Sequence, residues 1–205
     1  MLDTQYVKSN EIEKIYSQII SSQLKDNVVR TFGIEKVMLP CKIVGSIYEP
    51  HTEAPASVVV QYANDDETDL ERAAIFTCLR FRIQQTTSYV DKTLKWRIFK
   101  QKENVVDKIA NPKYMEFTQI IMEFIFIHEC YHIVQFKLFD ASYPRYKIDL
   151  IYKNNIEREA NLRAAAFLSE HYKDSPYKLD VIDTIKNEYD LIKKHKEDTG
   201  LQNLE

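Results

Sequence analysis

The sequence predicts an α+β fold, in which a small β-sheet is followed by a long buried helix and further C-terminal helices. The sheet is indicated by segments rich in β-branched and aromatic residues within 35–101, separated by turn-forming residues. The long helix is indicated by apolar residues on nearly every face of 113–139. Apolar stripes at three- and four-residue steps after residue 155 indicate the later helices.

The N-terminal part of the chain, residues 1–111, is predicted to hold one helix and the sheet. Residues 10–25 carry an isoleucine stripe at helical spacing. Strands are expected in four segments, which are VMLPCKIVGSIY, ASVVVQYA, AAIFTCLRFRI and KWRIFKQ. Residues 70–84 could instead be helical, since LERAA is a good start for a helix.

The C-terminal part, residues 112–205, is predicted to be helical. Pro112 stands at the start of the long helix, where a missing N–H costs little. A loop is expected over 140–153, because this segment contains a proline and many polar residues. A second helix is expected over 155–173, and Ser175-Pro176 would then begin a last one.

Length and composition narrow the class of protein. A chain of 205 residues fits one domain, 1–205. Only 3 glycines are present, which nearly excludes glycine-rich phosphate-binding loops. The net charge of −3 and the pI of about 6.0 do not indicate direct nucleic-acid binding.

The cysteines and the apolar segments bear on the compartment. Cys41, Cys78 and Cys130 are odd in number and far apart, which favours a reducing compartment over a disulfide framework. No signal peptide is visible in the polar N-terminus. The most apolar run, near 117–127, is too short and too close to charged residues for a membrane span. A cytoplasmic protein is therefore expected, with no indication of its oligomeric state.

The segment HECYH, residues 128–132, carries the clearest chemical signal. Residues four apart share one face of a helix, so His128 and His132 can present two imidazoles to one metal ion. Glu129 is rotated by about 100° from His128, so it is placed to reach a metal-bound water as a general base. The alternative is a pair of core histidines with hydrogen-bonding partners. Two histidines and a glutamate within an apolar helix would be costly without partners, which favours a metal site.

A catalytic zinc ion needs a third protein ligand besides His128 and His132. The residues that follow His132 are IVQFKL, which offer neither glycine nor histidine, so this ligand must come from elsewhere. The next helix, with the sequence NIEREANLRAAAFL, contains Glu157 and, four positions later, Asn161. Glu159 on the same helix is a competing third ligand, although it points away from Glu157 and is also readily explained as a solvated surface charge.

This combination of motifs resembles the gluzincins, zinc metallopeptidases in which HExxH is followed on a later helix by ExxxD. The string EREANLRAAAFL also resembles a segment of the ImmA/IrrE-like peptidases, and the likeness covers residues from about 120 to 170. The resemblance implies a zincin-like fold, with Glu157 as the third ligand. It also implies that Asn161 orients the first histidine, although asparagine here replaces the commoner aspartate.

The function implied is that of a metalloendopeptidase with one Zn²⁺ per chain. Glu129 would activate a zinc-bound water for attack on a peptide bond of a protein or peptide substrate. A donor to the oxyanion is also needed, for which the candidates are Tyr143, Tyr146, Tyr152, His171 and His195. The strand ASVVVQYA could bind substrate backbone as an edge strand, or be an ordinary core strand.

A second interpretation is that the protein binds zinc but does not hydrolyse peptide bonds. The protein could be a non-catalytic regulatory or binding protein that holds a structural or sensory zinc. The presence of Glu129 argues against it, because a structural site has no need of a general base.

Overall fold

The computed structural model describes the chain from Ser9 to residue 187 with gaps. The described ranges are 9–34, 41–44, 56–62, 74–82, 90–91, 108, 110–138, 145 and 148–187. The strands are described by their backbone alone.

The chain begins with two helices, α1 (Ser9–Ile19) and α2 (Ser22–Phe32). The prediction of a single helix over 10–25 is wrong, because this segment is divided between two helices. The side chain of Ser21 accepts a hydrogen bond from the Leu24 N–H at 3.1 Å, which caps α2 and ends the first helix before it. At the other end of α2, Gly33 adopts a left-handed conformation with φ 64° and closes the helix.

Three strands follow, β1 (Cys41–Val44), β2 (Ala56–Tyr62) and β3 (Ala74–Arg82). They pair in the order β1-β3-β2, with β1 parallel and β2 antiparallel to β3, so β2 lies at an edge of the described sheet. Three of the four predicted strand segments are therefore paired, and the helical alternative for 70–84 is wrong over β3. The fourth segment, KWRIFKQ, lies outside the described residues.

The long predicted helix is confirmed as α3 (Pro112–Ile133), which continues into a π-helical turn, Val134–Leu138. Asn111 caps its first turn, because the asparagine side chain accepts hydrogen bonds from the N–H groups of Lys113 and Tyr114. From Phe124 to His128 every side chain is buried, so α3 passes through the centre of the core.

The next helix, α4 (Leu150–His171), begins earlier than the sequence suggests. Asp149 accepts a hydrogen bond from the Tyr152 N–H at 2.9 Å and so caps the helix, which begins five residues before the predicted start. The predicted loop over 140–153 is therefore wrong for 150–153. A last helix, α5, covers 176–187 of the described chain, and the carbonyl of Ser175 accepts from the Leu179 N–H within its first turn.

The part of the core whose side chains are described lies between helices. α3 packs along α4, and α1, α2 and β2 also lie against α3. The fully buried side chains of the other elements are Tyr16, Leu24, Val28, Ala160, Ala164, Leu168, Ile182 and Ile185.

The predicted α+β, zincin-like fold class is wrong for the residues whose side chains the structure describes. Of these residues, 89% lie in helices and none lies in a strand. Two N-terminal helices replace the single one expected, and α4 takes up part of the expected loop, so helix-on-helix packing supplies the described core. Among the described residues, no helix is long and apolar enough to cross a membrane.

Candidate metal centre

The two histidines of HECYH lie side by side on α3, near its C-terminal end. His128 and His132 are 6% and 7% exposed, and their rings meet edge to face with centroids 4.6 Å apart. Their Nε2 atoms are 3.0 Å from each other. The four-residue spacing thus brings two ring nitrogens to one point, as the helix geometry predicts.

Glu157 reaches the same point from α4. Its Oε2 lies 3.2 Å from His128 Nε2, and its Oε1 lies 3.7 Å from His132 Nε2. The three side chains form a group that could hold a metal ion. A tetrahedral ion with ligand bonds of about 2.0–2.1 Å separates its ligand atoms by roughly 3.3 Å. The observed contacts measure 3.0, 3.2 and 3.7 Å, the last two to different oxygens of Glu157, so the group could hold a metal ion.

The outward-facing ring nitrogens are both held by side-chain amides. Nδ1 of His128 lies 2.8 Å from Asn161 Oδ1, and Nδ1 of His132 lies 2.8 Å from Gln135 Oε1. An amide oxygen can only accept, so each imidazole carries its hydrogen on Nδ1. In the neutral rings, the Nε2 lone pairs then face the cluster, which is the tautomer that metal-binding histidines need.

The electrostatics of the cluster favour a cation at its centre. Burial alone would raise the pKa of Glu157, but hydrogen bonds and charge from His128 and His132 hold it well below its ordinary value. Burial alone would lower the pKa of His132, but the hydrogen bond and charge of Glu157 raise it above 6.5, with smaller contributions from Glu129 and Gln135. A carboxylate and two nitrogen lone pairs therefore converge where only a proton or a metal ion can satisfy them.

Glu129 stands beside this group without belonging to it. Its side chain is half-buried, and its charge contributes to raising the pKa of His132. It is not among the three side chains that could hold the ion. The role of Glu129 as a general base therefore stays a prediction.

Glu159 is not the third ligand in this arrangement, and its interpretation as a solvated surface charge is wrong. The side chain is half-buried. Its Oε1 accepts from the Tyr131 hydroxyl at 2.8 Å, and its Oε2 accepts from Gln135 Nε2 at 3.1 Å. Glu159 therefore lies behind the centre, among the groups that surround His132.

Gln135 is the site residue that the sequence analysis missed. It is 1% exposed, and it contacts His132 from within the π-helical turn that follows α3. The available signal was its place three residues after His132, since side chains three apart on a helix are neighbours. A glutamine carries no ligand chemistry of its own, so the motif alone did not draw attention to it.

The candidate oxyanion donors are only partly described. His171 lies fourteen residues after Glu157 on α4, about 21 Å along the helix axis, which is too far for a role at the centre. The ring of Tyr152 lies under the Arg145 guanidinium at 4.5 Å. The other candidates, Tyr143, Tyr146 and His195, lie outside the described residues.

The chain matches no protein-family model, no curated protein and no solved structure. The likeness to gluzincins and to the ImmA/IrrE-like peptidases therefore rests on the motifs alone and stays a prediction. Any function must be argued from the geometry of the centre.

Proposed function

We propose that this protein is a zinc-dependent metallopeptidase that hydrolyses peptide bonds in a protein or peptide substrate. The observation that carries the proposal is the convergence of His128 Nε2, His132 Nε2 and the Glu157 carboxylate, with Glu129 adjacent but outside the group. Two histidines, a carboxylate ligand and a separate carboxylate base are the parts of a hydrolytic zinc site of the gluzincin type.

The reaction follows from the roles of these side chains. Zinc, when bound, lowers the pKa of a coordinated water and polarises the scissile carbonyl. His128, His132 and Glu157 would hold the ion, and the amides of Asn161 and Gln135 would keep both imidazoles in the ligating tautomer. The Glu129 carboxylate accepts a proton from the attacking water and delivers it to the nitrogen of the departing amine.

Zinc is the ion that this donor set favours. Two imidazole nitrogens and one carboxylate suit zinc better than magnesium or calcium, which prefer six or more oxygen ligands. Three protein ligands leave a fourth position for water, whereas structural zinc sites usually fill all four with protein. Within the described part of the chain, no fourth histidine, cysteine or carboxylate joins the group.

The sheet supports a peptide as the substrate. β2 is an edge strand of the described sheet, and it lies against α3, the helix that carries the two histidines. An edge strand offers unpaired backbone groups that an extended peptide can join by strand addition. A polypeptide laid along β2 would thus run beside the helix that bears the metal centre.

The proposal is tested by comparing metal content with peptide cleavage. Wild type and Glu129→Gln are each purified without added metal, and their zinc content is measured by inductively coupled plasma mass spectrometry. Both are expected to hold about one zinc per chain. On a library of internally quenched fluorescent peptides, Glu129→Gln should cleave roughly 10²- to 10⁴-fold more slowly, because the general base is lost.

Glu170→Gln is the matched control for charge, since Glu170 is an exposed glutamate paired with Lys173 near the end of α4. Its cleavage rate should equal that of wild type. A zinc-loaded wild type that cleaves no library peptide faster than Glu129→Gln would refute the peptidase function. It would favour the alternative, a binding or regulatory protein that holds zinc.

A further inference from the structure

The π-helical turn Val134–Leu138 begins directly after the second histidine ligand. A π-turn is wider than an α-turn, is rare in proteins and is frequently found at functional sites. Here it carries Gln135, whose buried side chain makes three hydrogen bonds. Its Oε1 faces His132 Nδ1 at 2.8 Å, and its Nε2 donates to the Ile156 carbonyl at 3.0 Å and to Glu159 Oε2 at 3.1 Å.

These partners leave the Gln135 amide only one orientation. The carbonyl of Ile156 can accept but cannot donate a hydrogen bond, and the Glu159 carboxylate likewise accepts. The amide NH₂ must therefore point to these two oxygens on α4, and Oε1 must point to His132. An oxygen at that place requires the hydrogen of His132 on Nδ1, which leaves the Nε2 lone pair for the metal.

We propose that Glu159 is a positioning residue for the metal centre, acting on His132 through Gln135. The inference rests on the proposed function, since it takes zinc as the bound ion. The negative charge of Glu159 strengthens the hydrogen bond from Gln135 Nε2 and polarises the amide, so that Oε1 becomes a better acceptor for the His132 proton. A stronger hydrogen bond from His132 Nδ1–H to Gln135 Oε1 makes His132 Nε2 a stronger metal ligand.

Glu159 is itself held from the side opposite Gln135. Its second oxygen accepts from the Tyr131 hydroxyl at 2.8 Å, and the Tyr131 ring faces the Arg163 guanidinium at 5.7 Å. Both carboxylate oxygens are thus bonded to residues of α3 or of the π-turn that extends it, while Glu159 belongs to α4. The relay from Glu159 to His132 therefore also sets the spacing of the two helices that supply the ligands.

The two histidines differ in this support. The outward nitrogen of His128 meets a neutral amide, that of Asn161. The outward nitrogen of His132 meets an amide bonded to a carboxylate, and the ring of His132 is also stacked on Phe136 with centroids 5.8 Å apart. Removing the charge of Glu159 should therefore affect His132 and leave His128 unchanged.

The test compares Glu159→Gln with Glu170→Gln, which makes the same chemical change on an exposed part of α4. Zinc affinity is measured by competition with a chromophoric chelator. The imidazole N–H protons of the zinc-loaded proteins are followed by nuclear magnetic resonance. We expect Glu159→Gln to weaken zinc binding roughly 10-fold, the lower end of the range for such partners of metal-binding histidines. The Nδ1–H of His132 should exchange faster with solvent, while that of His128 does not change.

Equal zinc affinity and equal His132 exchange in the two variants would overturn the relay. Wild type alone gives a second test, which does not depend on the folding of any variant. A His132 Nδ1–H that exchanges as fast as an unbonded imidazole N–H would also overturn it. These outcomes are separate from the peptidase proposal. Zinc binding without cleavage refutes the enzyme and leaves the relay measurable, whereas cleavage with no effect of Glu159→Gln refutes only the relay.

Discussion

Glu157→Gln tests the metal centre most directly, because it removes one ligand charge and keeps the size of the side chain. A four-ligand structural zinc site contributes about 10–16 kcal/mol of binding free energy, or roughly 3 kcal/mol per ligand. Three ligands converge here, with the Glu157 oxygens 3.2 and 3.7 Å from the two histidine nitrogens. Losing one of the three should therefore weaken zinc binding by roughly 100-fold, since about 1.4 kcal/mol corresponds to a factor of ten.

The affinity is measured by titrating zinc into the metal-free protein against a chelator of known zinc affinity, at fixed pH and ionic strength. Glu170→Gln again serves as the control for a lost surface charge. Circular dichroism before and after zinc addition shows whether each variant is folded, so that a loss of binding can be separated from a loss of structure.

The order of the two glutamate variants is the decisive result. Glu157→Gln should weaken zinc binding about tenfold more than Glu159→Gln, because a ligand contributes more than a group that acts through an intervening amide. If Glu159→Gln abolished binding while Glu157→Gln left it intact, the ligand assignment would be refuted. Glu159 would then have to leave Tyr131 and Gln135 to reach the metal.

Three further predictions concern stability and the support of the first histidine. In chelator, the ion pair of Glu157 with His132 stabilises the fold most between about pH 4.5 and 6.5. It weakens as the pH rises through the raised pKa of His132, or falls through the lowered pKa of Glu157. The unfolding free energy of wild type minus that of Glu157→Gln should therefore fall by on the order of 1 kcal/mol from about pH 5.5 to 9. Asn161→Ala should weaken zinc binding roughly 10- to 100-fold in the chelator competition, because the histidine that it contacts loses its outward partner. Tyr172→Phe should cost about 1–3 kcal/mol in urea unfolding, because the buried Glu123 carboxylate would lose a donor at 2.6 Å.

Each of these has its own control. A pH dependence that is the same in wild type and Glu157→Gln would show that the ion pair does not stabilise the metal-free fold. Asn161→Asp should keep most of the zinc affinity, since a carboxylate also accepts the histidine proton. Tyr177→Phe removes a hydroxyl from an exposed tyrosine whose ring packs on Phe117, and it should change stability by less than about 0.5 kcal/mol.

The parts of the centre that could be predicted are those set by local geometry. His128 and His132 share a face because any α-helix places residues four apart together, and the apolar run around them indicated a helix. Glu157 could not be assigned from local geometry, because no local rule relates a residue on α4 to one on α3. It was suggested by the resemblance of its motif to that of the gluzincins. Gln135 was indicated only by its place three residues after His132, since its other contacts depend on a π-turn and on Ile156 across the helix interface.

The errors in the predicted fold have a common cause. Ser21 and Asp149 each use a side-chain oxygen to start a helix, and such caps moved the helix boundaries away from the apolar stripes. The boundaries predicted over 10–25 and 155–173 follow apolar stripes, which join two helices into one and shorten a third. A sheet was expected beside the helices, whereas the described core is formed by helix packing.

The two ligand helices differ in their surroundings, and this difference bears on how fast a bound ion can leave. α3 is buried on all sides around His128, whereas α4 exposes Arg158 and Arg163 to solvent. Partial opening of a protein starts where the fewest apolar contacts are lost. In the proposed centre, we therefore expect a bound ion to leave when α4, and Glu157 with it, moves away from α3. The residence time of a bound metal ion should then depend on the rate at which these two helices separate. The rate of metal exchange would therefore report on that motion.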